Sequence, residues 1–160
     1  LVDGVLHPLT GADHVLAALA VGLWASSFKG RAAWAMPIAF VAAMGVGSAL
    51  GLSGITIPQY EAAIIASLVV FGLAIASGRE VPLAGGVGAC ALFALAHGSA
   101  HGAEIPDGVS PLAYVGGLMV ATGSLHAAGL VLGTTLRAQA GALRFAGIAI
   151  ALYGGFIALA

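Results

Sequence analysis

The chain has 160 residues, of which 61% are hydrophobic and 7% charged, with a formal net charge of -1 and a mean hydropathy of +1.10. Soluble domains carry about a quarter of their residues as charges, so this balance excludes a water-soluble globule, and it offers neither a basic patch for nucleic acid nor an acidic tail. The single cysteine, Cys90, rules out an internal disulfide and a cysteine-based zinc framework.

At about 20 apolar residues per bilayer crossing, the length accommodates roughly six helices and leaves no room for a separate soluble domain. Residues 1–160 therefore read as one all-α, polytopic membrane domain, a bundle of six transmembrane helices. The first stretch runs over about residues 5–28 and ends at Lys29 and Arg31; the second covers about 32–52. A Gly/Pro loop from Ser53 to Pro58 leads to the third, about 60–77, which stops at Gly78, Arg79 and Glu80. Pro82 opens the fourth, about 82–101, and the polar segment from Glu104 to Ser110 precedes the fifth, about 111–136. The sixth fills about 140–160.

All lysines and arginines fall in alternate connections: Lys29 and Arg31 in the first, Arg79 in the third, Arg137 and Arg144 around the fifth. The positive-inside rule puts those connections in the cytoplasm, and with them both termini on the periplasmic side of a bacterial inner membrane. Residue 1 is a leucine with no charged region before it, which is the expectation for a chain whose signal peptide has been cleaved. Trp24 and Trp34 are expected at the inner interface, Tyr60 and Tyr114 at the outer one.

Against this background the five histidines stand out. His7 lies close to Asp13 and His14; His97 lies close to His101 and Glu104; His126 stands alone in another apolar run. Ionisable groups inside a bilayer are costly enough that function is the default reading, and grouped imidazoles and carboxylates can satisfy one another around a cation. His97 and His101 share a helix face at a spacing of four, and Glu104 follows three residues later. Gly98 and Gly102 thin the helix beside them, so a neighbouring helix can approach. Pro8 and Gly11 point to a broken helix beside Asp13 and His14, which suggests a lined cavity. Asp3 is placed to collect ions outside. Counting about 1.5 Å per residue from the outer ends, His7 and His101 are shallow, His97 lies roughly 10 Å in, Asp13 and His14 roughly 15 Å, and His126 a little over 20 Å. This descending path of modest sites suits a permeant cation. Glu61, Glu80 and Asp107 read as solvated loop charges, Cys90 and the methionines as packing residues, and the spacings Gly47 to Gly51 and Gly129 to Gly133 as close contacts within the bundle.

The segments His7-Pro8-Leu9-Thr10-Gly11-Ala12-Asp13-His14, Ala96-His97-Gly98-Ser99-Ala100-His101-Gly102-Ala103-Glu104 and Leu125-His126-Ala127-Ala128-Gly129 resemble the signatures of the HupE/UreJ family of bacterial nickel and cobalt permeases. The resemblance extends over nearly the whole chain. It implies uptake of Ni²⁺ or Co²⁺ from periplasm to cytoplasm, a metal-binding set of His7, Asp13, His14, His97, His101, Glu104 and His126, and no prosthetic group. Members often carry Phe at the position of Ala96 and a further His at that of Ser99, which implies one ligand fewer on the fourth helix here.

Ligand chemistry alone does not select the ion, since imidazole also suits Zn²⁺. A divalent cation gains roughly 4.6 kcal/mol per 100 mV of inside-negative potential, enough to move inward without ATP. Ligation needs neutral imidazoles, so uptake is expected to fall as external pH drops through the histidine range. Two other classes use similar residues. An intramembrane zinc hydrolase would gather its ligands at one tetrahedral centre, with Asp13 or Glu104 activating water, and a metal or pH sensor would need an output domain that the chain lacks. The expected partners are a divalent metal ion and the lipid bilayer, and the chain is not expected to be an enzyme.

Overall fold

The computed structural model describes residues 1–160, the side chain of residue 140 excepted. Among the described residues there are seven α-helices and no strands: α1 (Val2–Thr10), α2 (Ala12–Ala25), α3 (Ala35–Leu52), α4 (Tyr60–Ser77), α5 (Leu83–Ala103), α6 (Pro111–Leu136) and α7 (Ala140–Ile157), with a 3₁₀ turn at Gly30–Trp34 before α3. The third and fifth apolar stretches coincide with α4 and α6. Each is bounded by residues that stop or start a helix: Gly78, in the left-handed region at φ 59°, closes α4, and Pro111 opens α6 at a position where its missing N–H costs nothing.

The first apolar stretch is not one helix. α1 and α2 meet at 90°, across Gly11 in extended backbone at φ −101° and ψ 116°. The break falls where Pro8 and Gly11 point to one in the sequence; its right angle does not follow from the apolar pattern, which has the same period on both sides. Four helices, α3 to α6, are each long and apolar enough to cross a membrane, and a fifth span is completed if the bent α1–α2 pair is counted together. α7 belongs with the shorter apolar helices.

The tightest packing joins α3 to α5 (backbone against backbone). Cβ positions at Gly98 and Gly102 fall on the backbone of Met44 and Ser48, and those at Gly47 and Gly51 fall on the carbonyls of Leu95 and Ser99, so no side chain fits between the two helices. Gly129 similarly abuts Leu19, drawing α6 onto α2. Both small-residue spacings thus serve contacts within the bundle. This density fixes the elements that carry His97, His101, His126 and His14 relative to one another. Of the aromatic rings expected at the interfaces, Trp34 is exposed, while Trp24 and Tyr114 are 6% and 1% exposed and pack inside the bundle.

The basic connections meet at one end. Lys29 after α2, Arg79 after α4, Arg137 after α6 and Arg144 on α7 border a common cavity, while α1, the start of α2 and the end of α5 hold most of the histidines.

Candidate metal centre

The bend at Gly11 brings His7 back over the start of α2. In a straight helix residues 7 and 14 would be about 10 Å apart along the axis; here their ring centroids are 6.5 Å apart. The depth order expected from a continuous first helix is therefore replaced by a contact sequence. The His7 ring meets His101 at 4.9 Å between centroids, His101 meets His14 at 4.7 Å, and His14 meets His97 at 5.4 Å. Beyond His97 stands Phe40, 5.4 Å from it and 5.0 Å from His126 on the far side. Five imidazoles and one phenyl ring make a single file. The two ends differ in burial: His7 and His14 are half-buried, His101 and His97 are 2% and 3% exposed, and His126 is fully enclosed.

Hydrogen bonds set the tautomers, and with them the free lone pairs. Asp13 Oδ1 accepts from His14 Nδ1 at 3.1 Å, which leaves Nε2 as the unprotonated nitrogen. That atom is buried and has no partner. A carboxylate behind an imidazole is the arrangement that orients metal-binding histidines and raises their basicity. His97 Nε2 lies 3.2 Å from Ser67 Oγ, whose hydroxyl already donates to the Ile64 carbonyl at 2.6 Å. The ring must therefore donate through Nε2, and its lone pair is on Nδ1. His126 donates from Nδ1 to the Ala18 carbonyl at 2.8 Å, and its Nε2 is buried without a partner, as is His101 Nδ1. Each orphaned buried polar atom costs about 1–3 kcal/mol. Three on one file of rings is a debt that a bound cation would offset.

A cavity of about 10 Å³ lies between His14, His97 and His101, closed by Pro8, Phe40 and Thr122. That is room for about one water-sized particle. Among the described residues, no three His, Cys, Asp or Glu side chains are grouped so as to hold a metal ion as they stand; the donors are strung out along the file instead of surrounding one point.

Four of the seven expected site residues do not line this cavity: His7 and Asp13 stand beside it, in contact with His101 and His14, and two others stand apart. Glu104 is exposed at the end of α5, where it accepts a 3.3 Å hydrogen bond from the Tyr60 hydroxyl. His126 is separated from the other imidazoles by Phe40. Ser99 lies on the opposite side of α5 from His97 and His101, accepting from the Ile57 N–H at 2.9 Å. Sequence reasoning missed Phe40, since a phenylalanine in an apolar helix carries no signal of its own. It also gave no sign that Tyr114 packs beside the site: its ring is 5.7 Å from that of His7, and its buried hydroxyl has no partner.

Fold and site together define a helical membrane protein with an internal chain of imidazole donors. The chain belongs to the HupE/UreJ family: the family model described as "HupE / UreJ protein" matches residues 1–157. It is similar to Protein HupE of Rhizobium leguminosarum bv. viciae, with 42% identity over 156 residues, covering 94% of this chain and 80% of that one. No solved structure matches it. The family is associated with nickel and cobalt uptake.

Proposed function

We propose that the protein is a permease that carries Ni²⁺ or Co²⁺ from the periplasm to the cytoplasm across the bacterial inner membrane, with six spans of which the bent α1–α2 pair is the first and α7 the last. It is not an enzyme. The observation that carries this reading is the ring file, which runs from half-buried His7 to enclosed His126 with neighbouring centroids 4.7–5.4 Å apart. Neighbouring donors at that spacing let an ion exchange one imidazole for the next, with no single site deep enough to trap it. A hydrolase would instead gather its ligands at one centre around an activated water.

In this reading His7 and Glu104 receive the hydrated ion at the outer face. His101, His14 and His97 then replace its water, with Asp13 holding His14 in the ligating tautomer. Phe40 bars direct passage to His126, so an ion advances only when that ring turns aside. The membrane potential supplies about 2.3 kcal/mol per charge per 100 mV for the inward step.

The test is radiometal uptake into vesicles containing the full chain, with Ni²⁺, Co²⁺ and Zn²⁺ compared in the presence and absence of an inside-negative potential. Saturable, potential-stimulated uptake that His14→Ala and His97→Ala abolish is the expected result. Uptake that survives both substitutions would refute the assignment.

A further inference from the structure

A second cavity has no part in the ring file. It measures about 550 Å³ and opens where α2, α4 and α6 end and α7 begins, a size typical of small-molecule sites. Four of the chain's five lysines and arginines border it: Lys29, Arg79, Arg137 and Arg144. They come from three separate connections and from α7, so only the fold brings them together. Glu80 is the one carboxylate at its edge, and among the described residues no lysine or arginine is ion-paired to a carboxylate.

Two of these cations are held in place. Arg137 Nη2 donates to the Ser27 carbonyl at 2.7 Å. The Arg144 guanidinium occupies the room left by Gly78, its Nε and Nη2 lying 2.8 Å from where a Cβ would stand. The bland explanation is that arginines complement helix C-termini. Each terminus contributes about half a negative charge, so three of them and Glu80 offset about 2.5 of the four positive charges and leave an excess of about 1.5. Beneath the charges the wall is apolar, formed by Leu23, Trp24, Phe28, Val81 and Leu143.

A basic rim over an apolar wall, at the end of a helix bundle that carries the chain's positive charge, matches an amphiphile with an anionic head. A bare divalent cation would be repelled there, and a soluble anion would make no use of the apolar wall. We propose that this cavity binds the phosphate headgroup of an acidic phospholipid, with Arg79 and Arg144 on the phosphate and the upper acyl chain against Trp24 and Leu143. The assignment is independent of the metal reading.

Trp24 reports on the site directly, because Trp34→Phe leaves it as the sole tryptophan of the two. The full chain carrying that change is reconstituted in phosphatidylcholine vesicles and titrated with phosphatidylglycerol brominated on its acyl chains. Quenching of Trp24 in excess of the lipid's mole fraction, and stronger than with brominated phosphatidylcholine, is expected. At about 1 kcal/mol per basic residue, Arg79→Gln with Arg144→Gln should weaken the preference about ten- to thirty-fold, while Arg31→Gln, outside the cavity, should not. Equal quenching by the two brominated lipids overturns the proposal, and that comparison needs no arginine variant to fold. A preference untouched by the double substitution overturns it as well, and reversal of quenching by millimolar inorganic phosphate would reassign the cavity to a soluble anion.

Discussion

The two ends of this molecule offer opposite settings for a charged ligand. At the histidine end the walls are imidazoles among mostly apolar side chains, the space is about 10 Å³, and two of the lining residues, His14 and His101, have a buried ring nitrogen without a partner. At the basic end full positive charges border a space of about 550 Å³ with an apolar wall. A small cation is selected by lone pairs that replace its water, which requires a tight and dehydrated place. A large anionic headgroup is held by formal charge and contact area, which requires room. α2 links the two, with Asp13 and His14 at its start and Leu23 and Trp24 near its end, so one helix of 14 residues serves both.

The comparison can be broken most severely at the histidine end. His14→Ala or His97→Ala should lower uptake more than about 100-fold, beyond the range seen when only an outer-shell partner is lost; vesicle uptake of radiolabelled Ni²⁺ measures it. Gly98→Leu should separate α3 from α5 and cost about 3 kcal/mol or more through overpacking, read as lost thermal stability of the purified protein before any metal is added. Asp13→Asn keeps the shape but removes the carboxylate that fixes the His14 tautomer. Its expected effect is a 10- to 100-fold loss of metal affinity, measurable by titration calorimetry. Gly11→Ala is milder: the new Cβ would stand 2.7 Å from Asp13 Oδ1 and 3.0 Å from His14 Nδ1, so the pair must shift, with a loss of affinity of several-fold. The smallest effect sharpens the contrast. Arg79→Gln with Arg144→Gln should leave metal affinity within about two-fold of the parent, since cavities at opposite ends of the bundle share no partner.

How much of this was legible in the sequence depends on where the information lies. α4 and α6 were readable because Gly78, Pro111 and neighbouring polar residues punctuate them. The pairing of His97 with His101 followed from a spacing of four on a helix. The contact of His7 with His101 did not, since it requires the right angle at Gly11, and an apolar pattern has the same period on both sides of a bend. Tyr114 was read as an interfacial anchor because amphipathic rings favour that depth, yet α1 folds over it: the Cβ position of Gly4 falls on the Tyr114 backbone, and the ring is buried. The alternate placement of Lys29, Arg79 and Arg137 was visible along the chain. Their convergence on one cavity was not, because it is set by packing among α2, α4, α6 and α7.

The joint at Gly11 has a mechanical consequence. α1 is nine residues long and is tied to α2 through a single residue without a side chain. Two backbone torsions there govern how far His7 stands from His101, whereas His14, His97 and His101 ride on helices wedged together by their glycines. α1 is also clamped to α6, where the Cβ position of Gly4 falls on the Tyr114 backbone and that of Gly117 on the Leu1 carbonyl, so the bend and the clamp together hold His7 over the head of the file.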